Sequence, residues 1–313
     1  MTLHDTQQNE AGLLLPGLDG GNPLGFLAAM GTLRTVQRVA TSGWIRLCWE
    51  VCDARYVPRL FGAMQTENEL ISLLRSGLTS EAGSPWNLSR KLPFEADRLR
   101  EAARHAATTA SIDEREQADG CSSFGSAAFV DDKGQFADTA LRMVRSGDSA
   151  GQGLLDYAQK IRGSTAEEDL RHALFEQWRY SASGPSLRWD PAEAREYALL
   201  ASDPSKDGAL SVIGANRLAL EAMPLFTTCP IGAGLATLSF HQSRSKSAMS
   251  WPMWTVPLTL ALIQSVITLD ELSAERPSAK ELKPRGIAAV FRSQLFKPNQ
   301  YYSNFTPARA VMA

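Results

Sequence analysis

The segment "LLLPGLDGGNPLGFLAAMGTLRTV" (Leu13–Val36) joins a glycine-rich turn directly to an apolar helix, and it decides how the N-terminal half of the chain folds. Asn22 is a good helix N-cap, and Pro23 suits the first helical position because its missing N–H would have no partner there. The turn could instead cradle a phosphate, but no Lys-Ser or Lys-Thr follows it, and Pro23 removes one donor. The sequence therefore predicts a tightly packed helix from Pro23 to about Ala40.

The charge of the chain is nearly balanced overall but uneven along its length. Its 313 residues include 32 Lys/Arg and 34 Asp/Glu, which gives a formal net charge of −2. A protein that binds nucleic acid over its whole surface is usually basic, so any such contact must be local. From Gly208 onward there are ten basic and five acidic residues, and Arg276–Arg309 holds seven basic residues and one acid. This region indicates either a solvated surface or a surface that faces a polyanion.

The cysteine usage gives no sign of a metal centre. Cys48 and Cys52 are close in sequence, but neither Cys121 nor Cys229 nor a histidine pair completes a zinc set. We expect structural thiols in a reducing cytoplasm, and we predict no metal and no cofactor.

An uncharged stretch of nineteen residues, Trp251–Leu269, approaches the length that spans a bilayer. It contains Pro252 and Pro257, and two acids follow it. The sequence therefore predicts a buried core helix here and no membrane contact.

Apolar periodicity indicates helices over 66–78, 94–118 and 153–178, and alternation indicates a strand in "WIRLCWEV" (Trp44–Val51). Further strands are predicted at Leu187–Trp189 and in "LATLSFH" and "GIAAVFRSQLF", with a capped helix opening at Pro191. The predicted fold is α+β, mixed and helix-rich, with strands near the N-terminus and in the C-terminal third. We expect a flexible tail (1–12), a helix-rich N-terminal region (13–180) and an α+β C-terminal region (181–313), or one continuous domain.

Two sets of residues are candidates for catalysis. His241 lies in a polar, basic stretch after a predicted strand, where a general base is conceivable. Asp270, Glu281 and Lys283 mimic the two carboxylates and lysine of a metal-dependent nuclease, but "ERPSAKELKPRG" is predicted to be a loop rather than the strand that this chemistry needs.

The C-terminal segment "VFRSQLFKPNQYYSNFTPAR" (Val290–Arg309) interleaves aromatic rings with cations. Rings that stack on bases and cations that meet phosphates are what single-stranded nucleic acid requires. The alternative is that the rings are core and the cations lie along apolar surface. A second short basic segment, "SRSKS" (Ser243–Ser247), could follow a phosphate backbone or be a plain solvent loop.

The opening helix resembles a motif of the large-subunit-like CRISPR-associated proteins of the type I-U group, also called I-G. The matching residues are Asn22, Pro23, Leu24, Phe26, Leu27, Ala29, Met30, Gly31, Leu33 and Arg34. Three further segments look like signatures of one such family: "RWDP" (Arg188–Pro191), "GANRLALEAMPLF" (Gly214–Phe226) and "YYSNFTPA" (Tyr301–Ala308).

The resemblance implies a non-catalytic subunit of an RNA-guided surveillance complex in antiviral defence, in which base pairing reads sequence and protein reads shape and backbone. Its partners would be guide RNA, target DNA and other effector subunits. From residue chemistry, the cations expected to meet phosphates are Arg217, Arg244, Lys246, Arg292, Lys297 and Arg309, and the residues expected to approach bases are Tyr301, Tyr302 and Asn304. A metal-dependent nuclease and an interaction protein without a nucleic-acid role are the alternatives.

Overall fold

The computed structural model describes residues 12–41, 43–62, 64–78, 85–108, 112–144, 153–180, 182–193, 210–244, 246–297 and 302–313. The predicted flexible tail lies outside these residues except for Gly12, and so does Tyr301.

The described residues form a mixed α+β fold, which confirms the predicted class. The helices are α1 (Pro23–Val39), α2 (Glu67–Leu78), α3 (Ala96–Thr108), α4 (Ile112–Phe124), α5 (Leu154–Ser164), α6 (Glu167–Phe175), α7 (Ile213–Ala222), α8 (Leu260–Ile267) and α9 (Ala279–Leu282). The strands are β1 (Leu13–Leu14), β2 (Arg46–Cys52), β3 (Arg55–Phe61), β4 (Gly125–Val130), β5 (Phe136–Asp138), β6 (Ala182–Ser183), β7 (Leu210–Ser211), β8 (Thr228–Ile231), β9 (Gly234–Thr237), β10 (Phe240–Ser243), β11 (Lys246–Trp254), β12 (Leu258–Thr259), β13 (Ile287–Phe296), β14 (Asn304–Phe305) and β15 (Arg309–Met312). As predicted, strands occur near the N-terminus and in the C-terminal third.

Two antiparallel sheets carry most of the strands. The N-terminal sheet has the order β1-β3-β2-β12, and the C-terminal sheet has the order β10-β11-β13-β14, with β15 also paired to β13. Strand β12 belongs to the C-terminal region by sequence, yet its Leu258 lies opposite Leu47 of β2. Residues from both sides of the predicted boundary at 180/181 therefore share one hydrophobic core.

Helix α1 begins as its sequence predicts. The Asn22 side chain accepts hydrogen bonds from the backbone N–H groups of Leu24 (2.8 Å) and Gly25 (3.4 Å). The Asn22 amide also donates to the buried carboxylate of Asp190 at 2.9 Å, which ties the "RWDP" segment to the start of the helix. The donors of this glycine-rich turn thus serve a helix start that packs tightly inside the protein.

A column of aromatic rings links α1 to both sheets. Phe26 stacks on Trp49 of β2 with ring centroids 6.0 Å apart, and on Trp251 of β11 at 5.7 Å. Trp251 stacks in turn on Phe291 of β13 at 6.2 Å, and its indole N–H donates to the Gly20 carbonyl at 2.8 Å. Such pairs contribute beyond their buried area, so the column fixes the C-terminal sheet against the N-terminal helix.

Glycine allows α1 and α7 to cross closely. A Cβ on Gly31 would lie 1.8 Å from the carbonyl oxygen of Leu218 on α7, closer than any side chain allows. A Cβ on Gly214 would likewise lie 2.0 Å from the Asp169 carbonyl of α6. Two of the segments that resemble the CRISPR-associated families thus meet at a helix crossing that needs glycine.

The prediction of a buried core helix over Trp251–Leu269 is wrong. The segment contains the end of β11, the short strand β12 and then α8, in which Ile263 and Ile267 are the buried residues. The physical reason is that Pro252 and Pro257 have no N–H to donate inside a helix. None of the described helices is both long enough and apolar enough to cross a bilayer.

Other boundaries also differ from the predictions. Leu187–Trp189 is not a strand, and the predicted strand "LATLSFH" is divided between β9 and β10. The predicted loop "ERPSAKELKPRG" contains the short helix α9. The predicted helices over 94–118 and 153–178 are each two helices, and the second pair is separated at Thr165, whose N–H closes α5 on the Ile161 carbonyl.

Candidate nucleic-acid interface

The two faces of the C-terminal sheet differ because alternate residues of each strand point to opposite sides. The face that carries Ser250 and Arg292, which we call the polar face, also carries Val290 and Met312 of a small apolar cluster. Met249, Trp251 and Phe291 lie on the face that packs into the main hydrophobic core. On the other face Ser250 of β11 lies opposite Arg292 of β13, and Arg292 lies opposite Arg309 of β15. The register therefore aligns polar side chains across three strands.

Arg292 is the centre of the polar face, and its side chain is fully buried. Its Nε donates to Ser250 Oγ at 2.8 Å, and its Nη2 donates to the Ala274 carbonyl at 2.6 Å and the Leu272 carbonyl at 3.1 Å. Its Nη1 donates to the Glu275 carbonyl at 3.4 Å. These bonds fasten the segment 272–275 over the sheet. The expectation that Arg292 meets a phosphate directly is corrected here, because the segment 272–275 covers its guanidinium.

Three other predicted cations are exposed on the strands and turn beside β13. Lys246 lies opposite Ser243 at the β10–β11 turn, and Arg309 lies beside Arg292; both are exposed. Arg244 occupies the turn with φ of 51°, and its Nε bonds Glu275 Oε1 at 2.7 Å. We call Arg244, Lys246 and Arg309, together with the buried Arg292, the cationic sheet face.

The aromatic residues and Asn304, which were expected to approach bases, differ in how exposed they are. Phe305 is buried and stacks on Phe240 at 6.2 Å, and Asn304 is fully buried, so the structure places Asn304 out of reach of a base. Tyr302 is half-buried beneath the guanidinium of Arg188, 4.8 Å from the ring centroid. Among the described rings of this segment Phe296 is the most exposed, with 37% of its surface accessible, and it lies at the end of the strand that carries Arg292.

The remaining predicted residues lie apart from the cationic sheet face or outside the described residues. Lys297 is exposed just after β13. Arg217 is on α7, where its Nη1 donates to Glu221 Oε1 at 2.5 Å. Tyr301 lies outside the described residues.

His241 and Ser250 form a hydrogen-bonded pair beside Arg292. His241 Nε2 lies 2.8 Å from Ser250 Oγ, and its Nδ1 lies 3.3 Å from the Gln242 carbonyl. A carbonyl only accepts, so Nδ1 carries the proton and Nε2 accepts from the serine hydroxyl. Burial lowers the pKa of His241, so the ring is neutral at pH 7.

Both side chains line a cavity of about 230 Å³ between the β8–β9 hairpin and the segment 267–273. The sequence indicates His241 as a candidate general base but does not indicate Ser250 as its partner. The signal was present in the alternation of "KSAMSWPMW", which places Ser250 on the same face as Lys246.

The nuclease residues do not assemble into a site of the expected kind. Asp270 lies at the wall of the 230 Å³ cavity, whereas Glu281 and Lys283 are exposed on α9 and the turn that follows it. Within the described ranges no three His, Cys, Asp or Glu side chains converge closely enough to hold a metal ion. The four cysteines are all free thiols.

Comparison of the chain with protein-family models and with curated proteins finds no match. The likeness to the CRISPR-associated families therefore rests on the quoted motifs, and the cationic sheet face stands on its geometry.

Proposed function

We propose that the protein is a non-catalytic subunit of an RNA-guided CRISPR surveillance complex and that its cationic sheet face contacts the phosphate backbone of guide RNA or target DNA. The observation that carries the proposal is that the strand register places Lys246, Arg292 and Arg309 on one face of the C-terminal sheet and that Glu275 links Arg244 to Arg292.

The electrostatics of this face favour a polyanion. Among its described residues, Glu275 is the carboxylate in contact, bonded to Arg244 at 2.7 Å and 4.0 Å from Arg292. Arg292 cannot touch a ligand, but its buried charge is weakly screened and adds to the positive potential at the surface. A local basic patch on a chain of net charge −2 suits a protein that binds a strand at one place.

The spacing of the cations also suits a nucleic-acid backbone. Lys246 and Ser250 are four residues apart on β11, about 13 Å, and β15 is two strands away from β11, about 10 Å. Lys246 and Arg309 are therefore about 16 Å apart, which covers roughly four to five phosphates at the rise of a duplex strand. Phe296 supplies a ring on which a base can stack.

The wider role follows from the resemblance of α1 and α7 to the type I-U/I-G subunits. Under this proposal the protein works in the cytoplasm with guide RNA, target DNA and other effector subunits. Arg34, Gly31 and Leu33 of the shared motif are buried, so these residues serve the fold, and contact with nucleic acid falls to the cationic sheet face.

The test is the salt dependence of binding to fluorescently labelled single-stranded RNA and duplex DNA, measured by anisotropy. Lys246→Ala and Arg309→Ala should each flatten the slope of log K against log salt by about 0.7 to 0.9, and the double variant by about twice that. The matched controls are Lys133→Ala and Arg98→Ala, two exposed cations on other elements. A double variant with the slope of its controls would refute the interface.

A second measurement addresses the complex itself. The protein purified from its native host should bring down short RNA, seen as a raised ratio of absorbance at 260 and 280 nm, together with companion subunits. The Lys246→Ala/Arg309→Ala variant should carry less RNA per folded chain. Purification without RNA or companion proteins would contradict the complex.

A further inference from the structure

A buried carboxylate on α7 gathers arginines from three helices. Glu221 Oε1 lies 2.5 Å from Arg217 Nη1 and 3.7 Å from Arg162 Nη1 of α5. Glu221 Oε2 lies 3.5 Å from Arg38 Nη1 and 4.0 Å from Arg34 Nη1 of α1. Four guanidinium groups therefore face this one carboxylate.

The cluster is electrostatically strong because it is removed from water. Burial alone would raise the pKa of Glu221, but the charges of Arg217, Arg38 and Arg162 and the hydrogen bond from Arg217 outweigh it and lower the pKa to about 2. The carboxylate is thus ionised at any physiological pH. The same arginines hold the end of α2, since Arg38 Nη2 donates to the Gly77 carbonyl at 2.6 Å and Arg217 Nη2 donates to the Leu78 carbonyl at 3.1 Å.

The arginine cluster opens into a cavity of about 370 Å³ that is separate from the cationic sheet face. Arg75, Arg162 and Arg217 line it from α2, α5 and α7, and we call it the arginine cavity. Its volume is in the lower part of the range of about 300–1,000 Å³ that is usual for ligand pockets. The exposure of Arg75, with 67% of its side chain accessible, keeps the cavity open to solvent.

The N-terminus of α6 completes the wall of this cavity through Thr165, Ala166 and Glu167. The first turn of α6 also holds Glu167, Glu168 and Asp169, and Asp169 accepts a hydrogen bond from the Ala166 N–H at 2.8 Å, so these carboxylates offset the positive end of the helix dipole. Glu167 is the acidic residue of the wall, and its carboxylate is held by Arg75 at 3.0 Å and by Arg171 at 3.1 Å. Arg171 is also 3.7 Å from Glu67, so Glu167 offsets part of the positive charge of the cavity wall.

We propose that the arginine cavity binds a phosphomonoester, either as a small phosphate compound or as the terminal phosphate of a nucleic-acid strand. Guanidinium groups from three helices line the cavity, and each carries five N–H donors, so the wall supplies the positive charge and donors that a phosphate dianion requires. A divalent anion also balances the positive charge gathered around Glu221 better than a carboxylate would. Arg162 and Arg217 are anchored by Glu221 before a ligand arrives, so little side-chain entropy is lost on binding. This inference does not depend on the proposed function.

The experiment measures binding of inorganic phosphate and a nucleoside 5′-monophosphate to the full chain by calorimetry and by thermal shift, against chloride at equal ionic strength. Both ligands should raise the melting temperature. Arg75→Gln should weaken binding about tenfold, and Arg162→Gln should weaken it more. The matched control is Arg179→Gln, because Arg179 is 71% exposed, like Arg75, and pairs with one nearby glutamate. No thermal shift, or equal binding by Arg75→Gln and Arg179→Gln, would overturn the proposal.

Because Arg162 is largely buried, far-UV circular dichroism checks that each variant folds, and Arg75→Gln decides the test if Arg162→Gln does not fold. Two oligonucleotides, with and without a 5′-phosphate, identify the source of the phosphate. If the wild type prefers the phosphorylated strand and Arg75→Gln abolishes that preference, the ligand is the end of a strand. If the wild type binds both strands equally and still binds inorganic phosphate, the ligand is a small phosphate compound. The Lys246→Ala/Arg309→Ala variant should weaken both strands equally, which separates failure here from failure of the cationic sheet face.

Discussion

The cationic sheet face and the arginine cavity use the same residue type in opposite surroundings. On the sheet face Arg244 and Arg309 are exposed, and water and salt screen them. Beside the arginine cavity, Arg217 and Arg162 are held against the buried Glu221, where screening is weak and geometry is fixed by neighbouring helices. The comparison teaches that burial decides whether salt screens an arginine or neighbouring helices fix its geometry. Under our proposals the first kind steers a polyanion and the second organises an anion site.

Each region also contains an arginine that holds the chain together. Arg292 donates to carbonyls of the segment 272–275, and Arg217 donates to the Leu78 carbonyl at the end of α2. Both satisfy backbone acceptors that would otherwise be short of donors. Each proposed binding surface is therefore built around a structural cation.

The largest expected effect concerns the helix crossing that supports the arginine cavity. Gly31→Val should destabilise the protein by about 3 kcal/mol or more, because the new side chain would collide with the Leu218 carbonyl. Denaturant unfolding measures the change. The matched control is Gly163→Ala in α5, where a Cβ meets nothing within 4 Å and should be neutral or slightly stabilising. Equal midpoints for the two variants would contradict the close crossing.

The next largest effect concerns Glu221, the buried carboxylate that anchors Arg162 and Arg217 behind the arginine cavity. Glu221→Gln should lower the free energy of unfolding at pH 7 by about 3 kcal/mol, because it leaves buried guanidinium groups without their counter-charge. The folded pKa of Glu221 is about 2, below its ordinary value of 4.5, so this carboxylate stabilises the fold above pH 4.5 and the contribution is lost as the pH falls toward 2. Unfolding measured at pH 7, 4.5 and 2.5 should show a weaker acid dependence in Glu221→Gln than in the wild type. Glu168 is exposed, so Glu168→Gln is the control and should keep the wild-type pH dependence. If Glu221→Gln also kept the wild-type pH dependence, Glu221 would not be the carboxylate responsible.

On the cationic sheet face, Arg292 and Arg309 should differ in what their removal changes: stability for Arg292 and nucleic-acid binding for Arg309. Arg292→Ala should cost about 2 kcal/mol of unfolding free energy, because it removes charge-assisted bonds to buried acceptors. Arg309→Ala should change stability by less than about 0.5 kcal/mol, since the residue is exposed, while it reduces the salt slope of nucleic-acid binding. Equal losses of stability in the two variants would remove the distinction between structural and surface cations.

The smallest effect tests the charge balance of the sheet face. Glu275→Gln should raise nucleic-acid affinity roughly twofold at low salt, because an exposed carboxylate paired with Arg244 contributes modestly. The gain should vanish at high salt. Anisotropy at two salt concentrations measures it, and a loss of affinity would show that Glu275 positions the cations instead of offsetting them.

The helices and strands that the sequence predicts correctly are those with a cap or an alternation within the segment itself. Helix α1 and strands β2 and β13 have clear caps or alternation, and the structure confirms them. Strand β3 escaped prediction because Pro58 interrupts its alternation, and it is specified by pairing with β2. The segment around Trp251 appeared helical because it is apolar, but its partner β13 lies far along the chain.

The candidate sites, too, depend on contacts between distant segments that the sequence does not reveal. The basic, aromatic C-terminal segment was visible, but which of its members are buried depends on the segment 272–275 and on β10 and β11. The spacing of Arg34 and Arg38 places them near one another on a helix, whereas their shared partner Glu221 is brought in by α7. Tertiary contacts, not residue types, separate the exposed cations from the buried ones.

The aromatic column has an optical consequence. Trp49, Trp189, Trp251 and Trp254 are sealed from water, Trp86 is nearly so and Trp178 is partly covered, whereas Trp44 is 70% exposed. Iodide should quench the emission of Trp44 first, and Trp44→Phe should leave a blue-shifted spectrum dominated by the interior indoles. That variant would report loosening of the protein interior without a dye, while a label on the oligonucleotide reports binding.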